Sequence, residues 1–307
     1  MKFSNAIVIS ALAACSQVAA HGTITLIKGA NGVNMPGLTV VDGTPRGCAS
    51  AACGAQKDTS IIRDAEMGSS RASTLGRTSY GAVDPAAVMQ AYMGRAKTRR
   101  HAPRQLLNNL ASAITGPAGA VLNGFQDIVG NTPLSGVMNG IQGGAARMGG
   151  GQMTPKGVME GGVGEYSGKG QSAGLPTAAS DGTITMTYHQ VSRRAYASQH
   201  FIRSKYANMC FSSLQVNQDG AGPLTAEIDP SSGGSDPKAF QKAQVIKNVP
   251  GAAGFSTASN SDYEIQIKMP DGMKCTGELG GAKNVCVARV RNTAISGPFG
   301  GGAAFTQ

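Results

Sequence analysis

Strand-period alternation marks three stretches of the chain. In Thr23-Ile24-Thr25-Leu26-Ile27, threonines separate apolar positions, as in a half-buried strand. In 181–190, Ile184, Met186 and Tyr188 alternate against Thr185, Thr187 and His189. His189 therefore leaves its strand on the polar face, near the end. Tyr263, Ile265, Ile267 and Met269 share one face of the third stretch. Leu38-Thr39-Val40-Val41 predicts a further strand, stopped by Asp42-Gly43-Thr44-Pro45. Helix is predicted from Asp84-Pro85 to Met93, where an acid and a proline mark the N-terminus, and over Arg104–Leu110. Between 86 and 175 periodicity fades and Gly, Ala, Asn and Met dominate. The pattern predicts a mainly β protein. Its antiparallel β-sandwich core comes from residues 21–85 and 176–307, around a Gly/Ala-rich, partly helical or disordered insertion over 86–175.

The first 20 residues read as a secretory signal peptide. Lys2 gives the positive start, Ala6–Ala14 the apolar run and Val18-Ala19-Ala20 the small-residue cleavage site. Cleavage leaves 287 residues beginning at His21 and lowers the net charge from +10 to +9. No later stretch is apolar enough to span a bilayer, and Gly301–Gln307 is not a lipid-anchor tail. The expectation is an extracellular protein without a stable membrane anchor. Its basic residues are scattered, so no nucleic-acid module is expected. The net charge suits acidic polymers, so a cell-wall polysaccharide or a host surface is the expected partner. With no Trp and few aromatics, a broad stacking platform is not expected.

Cys48 and Cys53 could ligate a metal or close a short disulfide loop, and an oxidising compartment favours the disulfide. Cys275 and Cys286 bracket Gly277, Gly280 and Gly281, which reads as a disulfide across a glycine-rich hairpin. Asp42, Asp58 and Asp64 could be catalytic acids, but beside Gly, Thr and Ser they suit turns and caps. Residues 191–215 form a basic, acid-free block that can be encoded by splice donor, branch and acceptor sequences. The block reads as a retained intron; the alternative is a genuine surface insertion. Its excision removes Cys210 along with Arg193, Arg194, Arg203 and Lys205, lowering +9 to +5. Cys15 leaves with the signal, so four cysteines then remain, an even set.

Cleavage after Ala20 frees the α-amine of His21. Amine and ring Nδ1 then offer two nitrogens from one residue, and a second imidazole would complete a T-shaped site suited to Cu(II). His189 is the second histidine that the strand pattern offers; the alternative is an exposed strand-end side chain. His101 follows Arg99-Arg100 and reads as an exposed loop residue.

Several blocks together resemble one family of fungal proteins. They are His21-Gly22-Thr23-Ile24, Asp42-Gly43-Thr44-Pro45-Arg46, Cys53-Gly54-Ala55-Gln56, Thr185–Gln190, Val216–Pro223 and Gly297-Pro298-Phe299-Gly300-Gly301. The family is the Egh-type, Gas/Mas-type group of secreted appressorium proteins, and the resemblance implies a role in host penetration and virulence. Ala226 and Val290 stand where the family pattern tends to have cysteines, which implies one disulfide fewer. The N-terminal His-Gly also resembles lytic polysaccharide monooxygenases and their copper-binding relatives. That resemblance implies copper held by His21 and His189, with Phe299 axial and Tyr188 a weaker axial candidate. Two function classes follow: a copper-dependent polysaccharide monooxygenase, or a secreted surface factor that binds copper or no metal and turns nothing over.

Overall fold

The computed structural model describes residues 21–48, 53–95, 151–191, 222–251, 260–294 and 296–307. The alternating stretches become its long strands. β1 (His21–Lys28) runs antiparallel to β7 (Thr183–Val191), with Ile24 opposite Tyr188 and Ile27 opposite Met186. Ile24 and Ile27 can both face inward because a register shift falls between Ile24 and Leu26, a bulge that reverses the alternation. β10 (Ser261–Lys268) lies along the other edge of β7, setting Tyr263 against Tyr188 and Ile265 against Met186. These cross-strand pairs form one buried apolar face.

β12 (Ala282–Arg291) pairs on one side with β13 (Phe299–Phe305) and on the other with β8 (Thr225–Asp229). β9 (Gln241–Lys247) joins the two halves, pairing with β10 along one edge and β8 along the other. The expected two-layer sandwich is thus one strongly curled antiparallel sheet, because the ladders on both edges of β9 leave no break between layers. Short strands β2 (Asn34–Pro36), β3 (Ser60–Ile61), β4 (Arg77–Thr78) and β5 (Gly81–Ala82) extend its two ends. The mainly β, antiparallel expectation holds, with little helix among the described residues.

The curl returns β13 to the side of β1. Leu38 N donates to Gly302 O at 2.8 Å, and the hydroxyls of Thr23 and Thr39 bond at 2.9 Å. Glycine permits this approach, since a Cβ at Gly301 would lie 2.8 Å from the Ile24 nitrogen. The same contacts explain why Leu38–Val41 is not the expected strand. Leu38 N is spent on Gly302 and Val41 N on the Asp58 carboxylate at 3.1 Å, so β2 forms earlier, at Asn34–Pro36.

A two-glycine turn, Gly280-Gly281, links β11 (Gly277–Leu279) to β12, with left-handed φ of 57° and 88°. Both expected disulfides are present, Cys48–Cys53 and Cys275–Cys286. The expected helix forms as α1 (Pro85–Tyr92), with Asp84 accepting from Ala86 N at 3.0 Å. Of the segment 86–175, residues 96–150 lie outside the described residues, as do the helix expected at 104–110, His101, His200 and all of 191–215 except Val191. The described part from 151 onward packs on the sheet: β6 (Gln152–Met153) pairs with β10, and Pro45 bridges to Met159.

An ion-pair group holds this return. Arg46, 4% exposed, grips the fully buried Asp58 through both terminal nitrogens, at 2.9 and 2.5 Å. Its Nε donates to Glu160 at 2.8 Å. Burial works against the Arg46 charge, but the two carboxylates outweigh it and raise its pKa.

Candidate metal centre

The register decides which side chains can meet. His21 stands opposite Val191 and Thr23 opposite His189, so His21 and His189 lie on the same face, diagonal to each other across β1 and β7. Asp262 of β10 stands opposite His189 on the other side. Thr23, His189 and Asp262 therefore form one row across three strands.

His189 is 1% exposed, so the exposed strand-end reading does not hold. Its Nδ1 lies 2.7 Å from Asp262 Oδ1 and 3.5 Å from Thr154 Oγ1. Its Nε2 is buried and has no hydrogen-bond partner among the described residues. That is the nitrogen a metal would need, so this residue fits a ligand role. His21 is half-buried and lines a surface hollow of about 270 Å³ with Gln56, Lys57, Thr59, Arg77 and Ser79 among its walls. The buried Phe299 ring meets the His21 ring edge-on, with centroids 4.1 Å apart at 84°.

Tyr188 points the other way. A Cβ on Gly22 would lie 2.0 Å from the Tyr188 hydroxyl, so the phenol occupies the space under Gly22 on the core side. Burial pushes its pKa well above the usual range. Of the two axial candidates, Phe299 is the one whose ring meets the His21 ring.

No group of three or more His, Cys, Asp or Glu side chains suited to a metal occurs among the described residues. A centre here would need a backbone nitrogen as its third donor. The four described cysteines are all in disulfides, which removes the metal reading of Cys48 and Cys53. The three acids are engaged elsewhere. Asp42 accepts from the amides of Val163 and Gly164, Asp58 holds Arg46, and Asp64 pairs with Arg291 at 2.6 Å. Asp262 and Thr154 were not singled out from the sequence. The one available signal was Asp262's outward position in an alternating strand; its partner is 73 residues away.

Fold and site together define a disulfide-bonded, mainly β protein with two histidines on one face of its sheet. The chain matches the Egh16-like virulence factor family over residues 19–194 and 204–300, and it belongs to that family. It is 44% identical over 314 residues to the appressoria-specific virulence factor GAS2 of Pyricularia oryzae, an alignment covering all of this chain and 90% of that protein. It is also 36% identical over 88 residues to the appressoria-specific virulence factor GAS1 of the same fungus, covering 28% of this chain and 34% of GAS1. No solved structure matches. The two disulfides and these relatives are consistent with a secreted protein. Among the described residues, no helix is long and apolar enough to cross a membrane.

Proposed function

We propose that this protein is a secreted, appressorium-associated virulence factor that acts at the host surface or cell wall through a copper-binding pair of histidines. The observation that carries this reading is the placement of His21 and His189 on one face of the sheet, with His189 Nε2 buried and without a hydrogen-bond partner among the described residues. After signal removal, the α-amine and Nδ1 of His21 would supply two nitrogens and His189 Nε2 the third. Such a donor set suits Cu(II) over other available divalent ions. Bound copper would supply one-electron redox chemistry. Phe299, edge-on to His21, presents an apolar flank. Lys57, which lines the same hollow as His21, would favour an anionic wall polymer, whereas Arg77 in that wall is paired with Glu66.

The test is calorimetry with copper on protein whose N-terminus has been sequenced as His21. One tight site is expected. It should vanish in His21→Ala, in His189→Ala and in protein carrying an extra N-terminal glycine, but persist in His101→Ala. Absence of a tight site on correctly processed protein overturns the reading.

A second reading is a copper-dependent lytic polysaccharide monooxygenase. It is favoured by the place of His21, which would supply two of the three donors, in the wall of an open hollow; His189 lines a second hollow with Thr154 and Asp262. Oxidised sugars released from chitin, cellulose, pectin or glucan by copper-loaded protein and a reductant would support it. Tight copper binding without such products would leave the surface-factor reading.

A further inference from the structure

We infer that Asp262, backed by Thr154, is a positioning residue that fixes His189 so that Nε2 is the nitrogen presented to a metal; the inference rests on the copper reading above. An ionised carboxylate can only accept hydrogen bonds, so the 2.7 Å contact makes Nδ1 the donor. In the neutral ring the lone pair then sits on Nε2, the buried atom without a hydrogen-bond partner among the described residues. A donor already committed to a carboxylate and an acceptor left over describe the tautomer and orientation that a metal-ligating imidazole needs.

Three features argue for this positioning. Asp262 is 37% exposed, so packing alone does not force it against the ring. It stands directly opposite His189 in the β7–β10 ladder, so backbone pairing sets the distance. Its second oxygen lies 3.3 Å from Thr154 Oγ1. Thr154 is itself placed by the chain's return onto β10. Met153 pairs with Ser261, Gln152 pairs with Asp262, and Thr154 N donates to Asn260 O at 3.2 Å. The segment after residue 150 thus completes a constellation that β7 and β10 begin.

Two measurements on full-length protein processed to His21 test the inference. Nitrogen-15 NMR of the metal-free protein at pH 8 should show His189 protonated at Nδ1. Asp262→Ala should shift it toward the other tautomer. Copper calorimetry should show binding weakened roughly 10- to 100-fold in Asp262→Ala. Asp262→Asn should lose less, because its amide oxygen still accepts from Nδ1. Thr154→Val should lose less than Asp262→Ala. Copper EPR should show altered nitrogen hyperfine coupling in Asp262→Ala, while metal-free melting temperatures stay close to the parent's. A His189 protonated at Nε2 in the parent protein, or copper bound as tightly by Asp262→Ala as by the parent, overturns the inference. An Nδ1-protonated His189 in a protein that binds no copper supports the positioning and ends the copper reading instead.

Discussion

Asp58→Asn removes one charge and little volume, and it tests what holds the chain's return onto the sheet. The Asp58 carboxylate is fully buried, takes two hydrogen bonds from Arg46 and accepts a third from Val41 N. Asparagine can still accept once from each side, but its amide nitrogen cannot accept from the guanidinium. Removing one partner of a buried ion pair costs about 3–5 kcal/mol. Glu160 stays within 2.7 Å of Arg46, so Asp58→Asn should fall below that range, at about 2–3 kcal/mol. Asp58→Ala also strands Val41 N and should cost about 3–5 kcal/mol. In a chain of this size those losses lower the melting temperature by roughly 2–4 °C per kcal/mol. Urea titration with linear extrapolation measures them directly. Replacing Arg46, Asp58 and Glu160 together by Met, Leu and Met should cost less than Asp58→Ala alone, because no buried charge is then left unpaired. A loss under about 1 kcal/mol for Asp58→Ala would refute the reasoning.

Gly22→Ala should destabilise the protein by about 1–3 kcal/mol in urea, since its Cβ would lie 2.0 Å from the Tyr188 hydroxyl and 2.2 Å from Cζ. Tyr188→Phe should not rescue it, because Cζ remains. Replacing Cys275 and Cys286 together by alanine should cost about 3 kcal/mol, from the loop-closure entropy of a bridge spanning 11 residues; an unchanged urea midpoint would contradict this. The Glu66 carboxyl is held below its ordinary value of 4.5, chiefly by the hydrogen bond from Arg77 and further by Arg63. Its contribution is therefore present above pH 4.5 and lost as pH falls through the lowered value, and acid unfolding of Glu66→Gln should lack that component. Reverse transcription across the codons for Gln190 and Val216 should yield a product lacking 191–215; a sole long product would refute the intron reading.

The sequence makes local periodicity visible and long-range partners invisible. The inward rows of β7 and β10 could be read from alternation alone, as could α1 from Asp84-Pro85. Leu38–Val41 has strand composition, yet its amides are taken by Gly302 and Asp58, and neither partner is near in sequence. His21 stood out because of the small-residue site before it, and His189 because of its place on a polar face. Nothing local announced that His189 would be buried, since Thr154 and Asp262 arrive from 35 and 73 residues away. Asp58 beside Thr59 and Ser60 resembled a turn acid for the same reason; its guanidinium partner lies in a different loop.

The curl that sets β13 beside β1 has a consequence for the order of folding. β1 is the first described strand to be synthesised, but its long ladder is with 185–191, and its flank is filled by a strand that ends at Phe305. Contacts of such sequence separation are slow to form, because the entropy of closing the intervening loop opposes them until the packing is complete. His21 therefore has no register partner until residue 191 has been made, and Phe299 reaches it only when the last strand docks. The surroundings of the two histidines are completed at the end of folding rather than at the start, so a chain truncated before β13 would carry both histidines without the ring that flanks His21.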